Sequence, residues 1–106
     1  MPKFLIQASY TAEGLKGLQK DKASGRKAAM SAAAEAAGGR LDALYYCLGK
    51  DDVVAILDLP DAIAAAALAV TASSSGLVHS RTTTLLTVEE ADKALSKSIP
   101  FRAPGR

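Results

Sequence analysis

The residue types able to do chemistry in this sequence fall in two short stretches. Asp51 and Asp52 stand side by side in LGKDDVV, between the apolar runs YYCL and VVAIL. His79 and Arg81 alternate along a threonine-rich run, on one side of it with Thr83. Adjacent carboxylates can divide acid and base roles when a neighbour separates their pKa values. A histidine is the side chain best placed to move protons near neutral pH. With Arg81 beside it on a strand, it could hold a small anion or a carbonyl group. Tyr45 and Tyr46 point to opposite faces of a strand, so one packs in the core and the other reaches the far surface. Tyr46, Asp52, His79 and Arg81 are therefore the candidate pocket residues.

Each has a structural alternative. Gly49 and Asp52 fit a turn, where glycine takes positive φ and aspartate accepts backbone N–H groups. A strand histidine commonly just finds a hydrogen-bond partner. No His/Cys/Asp cluster has metal-ligand spacing, so neither a metal nor another cofactor is expected. Cys47, the only cysteine, has no cation nearby in sequence to make it a thiolate, and reads as inert core. Pro2 precedes a strand, an arrangement that would suit a tautomerase-type amine base, though the pattern is only a few residues long. No catalytic residue is assigned.

Composition narrows the classes further. The 106 residues fit one domain. A formal net charge of +2 is too small to imply nucleic acid or an anionic membrane as a partner. The basic group Lys16, Lys20, Lys22, Arg26 and Lys27 reads as a solvated helix face. The longest apolar run, Ala62 to Val70, is too short to span a bilayer. With no leader-like N-terminus and a single cysteine, a cytoplasmic location is expected.

The elements that must position these residues follow from periodicity. Lys3 to Tyr10 alternates as a strand, with Phe4, Ile6, Ala8 and Tyr10 on one face. Thr11 caps a helix that buries Leu15 and Leu18, breaks at Asp21 to Gly25, and resumes from Arg26 to Ala37 with Met30, Ala33, Ala34 and Ala37 inward. Gly38-Gly39 ends it. Arg40 to Leu48 and Val53 to Leu59 are strands joined tightly enough to require antiparallel pairing. In the first of them, Leu41, Ala43, Tyr45 and Cys47 share one face. Pro60-Asp61 opens a helix with an apolar stripe of Ile63, Ala66, Ala67 and Val70. Leu77 to Val88 is a fourth strand and Glu89 to Ser96 a short helix. Residues 1–98 form the domain, and 99–106 an irregular tail.

The order β-α-β-β-α-β predicts an α+β, ferredoxin-like, four-stranded antiparallel sheet with helices on one face. Both faces of that sheet carry apolar residues, so the uncovered face needs a partner. The simplest is a second copy of the chain, giving a homodimer or higher homo-oligomer. The alanine-rich helices add to this need, because alanine supplies little apolar area.

Four stretches carry a family resemblance: GGRL (Gly38 to Leu41), YYCLGKDDVVAI (Tyr45 to Ile56), the Leu59-Pro60-Asp61 step with its alanine helix, and SSGLVHSRTTTLLTVEEADKAL (Ser74 to Leu95). Over residues 3 to 97 the chain resembles the GYD domain family of small bacterial proteins, in the dimeric α/β barrel superfamily. The resemblance implies a barrel and an oligomer, and no particular reaction. Gly49 and Asp52 match the family's Gly and Asp, while Asp51 stands where tyrosine is usual, which implies an exposed position for it. His79-Ser80 replaces a frequent Arg-Thr. The expectation is a ligand-binding or assembly module. The alternative is a cofactor-independent barrel enzyme, monooxygenase- or isomerase-like, that acts on a small aromatic or carbonyl metabolite.

Overall fold

The computed structural model describes all 106 residues, Met1–Arg106. Strand β1 (Lys3–Tyr10) leads to helix α1 (Ala12–Ala36), and a hairpin of β2 (Arg40–Tyr46) and β3 (Val53–Asp58) follows. Helix α2 (Ala62–Ser74), strand β4 (Val78–Leu85) and helix α3 (Val88–Leu95) complete the chain. The sheet order is β2-β3-β1-β4, with every pair antiparallel. This is the ferredoxin-like α+β fold, with an additional helix after β4.

Local chemistry sets the element boundaries. Thr11 Oγ1 accepts from the Gly14 N–H at 3.2 Å and starts α1. Asp61 Oδ1 does the same for α2 through the Ala64 N–H at 2.9 Å. Helix α3 opens with a capping box: the Thr87 N–H donates to Glu90 Oε1 at 2.9 Å, and the Glu90 N–H donates to Thr87 Oγ1 at 3.1 Å. The α1 C-terminus turns at Gly38, φ +90°. Gly39 then passes so close to β3 that a Cβ there would overlap the Asp58 carbonyl oxygen.

One face of the sheet is covered. Phe4, Ile6, Ala55, Leu57 and Leu59 pack with Ala34 of α1 and Ala65 of α2. Three of those seven core residues are alanines, so the apolar area they withdraw from water is small. Only 11 of 106 residues are buried, although 49% of the chain is hydrophobic.

Four expectations about packing need correction. The α1 break falls on a single residue, Lys22 (φ 65°, ψ 168°), and the helix runs on through Gly25. Leu15 is exposed. The inward face of α2 is Ala65 with Ala64 and Leu68. Ile63 and Val70 face outward. Because α2 is apolar all round, its sequence carried no signal for the phase of the buried side. In β2, a bulge between Leu41 and Ala43 breaks the strict alternation. Leu41 and Leu44 both reach the core, and the extra residue is Asp42.

The C-terminal segment lies away from this body. Helix α3 buries no residue, and Leu86, Val88, Leu95, Ile99 and Phe101 are all exposed. The chain measures 55 × 32 × 23 Å, with a radius of gyration of 16.7 Å. A compact domain of this length has a radius of about 13 Å. No helix is long and apolar enough to cross a membrane.

Candidate functional site

The antiparallel registers lay out the uncovered face in rows. Ala43, Ile56, Leu5 and Thr83 form one row, and Tyr45, Val54, Gln7 and Arg81 the next. Ser9 pairs with His79 beyond them. His79, Arg81 and Thr83 thus share the bare face. Neither His79 nor Arg81 lines a cavity of the single chain.

At one end of this face the hairpin loop reaches over β1. Arg81 Nη2 donates to Asp51 Oδ2 at 2.5 Å. The Ser9 hydroxyl donates to the Lys50 carbonyl at 3.1 Å, with Asp51 Oδ1 at 3.4 Å. Asp51 is therefore not the exposed turn residue expected: its side chain is 16% exposed and holds β4's arginine. Asp52 has a different task. Its Oδ2 accepts from the Tyr10 N–H at 2.8 Å, and its own N–H donates to the Ala8 carbonyl at 2.9 Å. The two carboxylates thus tie the hairpin to β4 and to the end of β1. Gly49 makes the turn with positive φ, 149°.

The other end carries a charge cluster that sequence reading missed. Lys3 Nζ donates to Asp58 Oδ1 at 2.8 Å and to Asp42 Oδ2 at 3.1 Å. Arg40 Nε donates to Asp58 Oδ2 at 2.9 Å. These bonds from Lys3 and Arg40 hold the Asp58 carboxyl below its ordinary value of 3.8. The same bonds raise Lys3 and Arg40. A signal was present: Lys3 opens β1, Arg40 opens β2 and Asp58 closes β3, which antiparallel pairing brings to one sheet end.

Tyr46 lies on the opposite, helix-covered side, since it pairs with buried Val53. Burial, helped by the neighbouring Tyr10 hydroxyl, pushes its phenol from 10.0 up to about 12. Four named candidates thus divide between two faces: His79 and Arg81 on the bare one, Tyr46 on the covered one, and Asp52 tied into the backbone of β1.

On Tyr46's side, α1, α2 and the sheet border an open cleft of about 210 Å³ lined by Ile6, Ala8, Met30, Leu68, Val78 and Arg26 among others. A second hollow of about 270 Å³ lies beside it and includes Tyr10, Gly14 and Asp21. Arg26, Ala72 and Val78 line both. Arg26, expected on a solvated helix face, is 38% exposed at its side chain and borders both hollows.

The GYD domain family model matches residues 4–95. The chain belongs to the GYD domain family. No curated protein and no solved structure matches it. Within this GYD domain, Gly49 and Asp52 keep the turn roles their chemistry favours, while Asp51 holds Arg81. No group of three or more His, Cys, Asp or Glu is placed to hold a metal ion. Cys47 is a free, half-buried thiol. Pro2 is exposed, and its carbonyl accepts from the Leu59 N–H at 3.1 Å.

Proposed function

We propose that this GYD domain is a self-assembling module whose bare sheet faces pack together in a homodimeric α/β barrel. The observation that carries this reading is the apolar centre of the uncovered face. Leu5, Val54, Ile56 and Tyr45 occupy adjacent rows there, and Tyr45 is 69% exposed. A chain that is half apolar but buries a tenth of its residues gains most by covering such a surface. The exposed arm from Leu86 to Phe101 supports the same reading, because a capped amphipathic helix with no intrachain partner is marginal in water.

Size-exclusion chromatography with light scattering tests it. The wild type elutes as a dimer or larger at micromolar concentration, and Ile56→Lys shifts the population to monomer. A wild-type monomer at that concentration overturns the reading.

The barrel-enzyme reading keeps one supporting observation. His79 and Arg81 share the bare face with Gln7 and Ser9, so pairing of two sheets would enclose polar groups able to orient a carbonyl substrate. Its test is turnover of small quinones and aromatic carbonyl compounds by wild type against His79→Ala. Equal rates in both remove it.

A further inference from the structure

The cleft under α1 lies on the covered side of the sheet, away from the face assigned to self-association. Its wall is mostly methyl-sized: alanines at 8, 29, 33, 69 and 72 leave space that larger residues would fill. The cleft is open on one side, so its apolar lining stays in contact with water, which is unfavourable to a fold. A chain with so small a core has little to offset that cost.

One charged group borders the cleft. The Arg26 side chain is 38% exposed, and its nearest carboxylate, Asp21, is 3.9 Å away, beyond hydrogen-bond reach. A guanidinium offers five N–H donors in a fork suited to two parallel bonds with a carboxylate. The α1 kink creates this arrangement. On an unbroken helix, positions 21 and 26 lie about 140° apart around the axis. With Lys22 held at φ 65°, Asp21 and Arg26 line the same hollow. Non-glycine residues held in such conformations gather at ligand sites. Ser80 adds a hydroxyl to the cleft wall.

Size and polarity together define an occupant. A cavity of about 150 Å³ lined by aliphatic side chains holds benzene, so a cleft of about 210 Å³ takes a body of that size with a small polar head. We propose that the cleft at the α1 kink binds a small monocarboxylate with a benzene-sized apolar body, its carboxylate on Arg26 and its body between Ile6, Met30 and Leu68.

Benzoate is the probe, with benzamide as its uncharged isostere, on the full chain. Amide shift mapping by NMR localises binding, and titration gives the affinity. The expected result is perturbation centred on Ala8, Ala33 and Leu68, with binding about tenfold weaker for benzamide and for Arg26→Gln. Ala69→Leu, which fills the cleft, abolishes binding while retaining the native spectrum. No saturable binding at millimolar benzoate overturns the proposal. So do shifts confined to the bare face around Arg81, or equal affinities for benzoate and benzamide. If Arg26→Gln does not fold, the wild-type shift map and the benzamide comparison still decide. A monomeric chain that binds benzoate under α1 would overturn the assembly reading and leave this one standing.

Discussion

Asp51 and Arg81 stand 30 residues apart in the chain and 2.5 Å apart in space. The pair joins the hairpin loop to the edge strand β4 across the end of β1. The loop is anchored electrostatically on one carboxylate and by backbone capping on the next. Because Arg81 is more than half exposed, the pair contributes modestly. A double-mutant cycle with Asp51→Ala and Arg81→Ala is expected to give a coupling of about 0.5–1 kcal/mol, falling with added salt. A coupling indistinguishable from zero at low salt would mean that the loop is held by Asp52 and Ser9 alone.

The Lys3–Asp58–Arg40 cluster sets two pH limits. In the unfolded chain the Asp58 carboxyl protonates near its ordinary value; in the fold it resists protonation to lower pH. The unfolded state then binds more protons, so stability rises with pH across that window. The contribution is complete above the ordinary carboxylate range and is lost as pH falls through the folded value. Lys3 behaves in the opposite sense: its pKa is raised by Asp58 first and Asp42 next, so its contribution is complete below 10.5 and is lost as pH climbs through the raised value. Urea melts across pH should therefore show both edges, and Asp58→Asn should flatten both.

Tyr46 offers a direct optical check. The chain has three tyrosines and no tryptophan, so absorbance near the phenolate band reports tyrosine ionisation cleanly. One phenol should titrate at about pH 12, and that step should vanish in Tyr46→Phe. The fold favours the neutral phenol, so this group's contribution is complete below pH 10.0 and is lost as pH rises towards 12.

Two glycines separate close approach from simple helix propensity. A methyl group at Gly39 would overlap the Asp58 carbonyl, whereas one at Gly17 meets nothing within 4 Å. Gly39→Ala should cost about 3 kcal/mol or abolish folding. Gly17→Ala should stabilise by about 0.5–1 kcal/mol, as alanine does in an open helix position. Thermal melts of the two variants rank them.

Strain at the α1 kink predicts a gain from glycine where glycine usually harms a helix. Lys22 adopts a positive φ that a Cβ disfavours, so Lys22→Gly should raise stability by about 1 kcal/mol while Lys22→Ala should not. Chemical denaturation midpoints distinguish the two.

How far the sequence exposed this arrangement depended on whether a pattern had contrast. Strand β1 alternates apolar and polar residues, and its bounds, Lys3–Tyr10, were legible to the residue. Its pairing partners followed from topology. Helix α2 has no polar face to contrast with an apolar one, so periodicity put Ile63 and Val70 inward and passed over Leu68, which packs on the core. In β2, the bulge at Asp42 is a decision of the folded sheet, visible only once Lys3 is seen to reach that carboxylate. At the site, His79 and Arg81 were placed on a common face by counting in twos. Asp51 escaped that logic because its partner comes from a distant strand. Arg26 escaped it because one backbone torsion at Lys22 decides which way it faces.

The bulge in β2 also acts as an alignment key for the hairpin. With one surplus residue on one side only, the two strands have a single mating position that keeps both leucines against the core and the aspartate beside its lysine. Sliding by one place would immerse Leu41 and bury a carboxylate, a double penalty that makes mispaired hairpins transient. An apolar, alanine-rich polypeptide is thereby spared a persistent sticky isomer during its own synthesis.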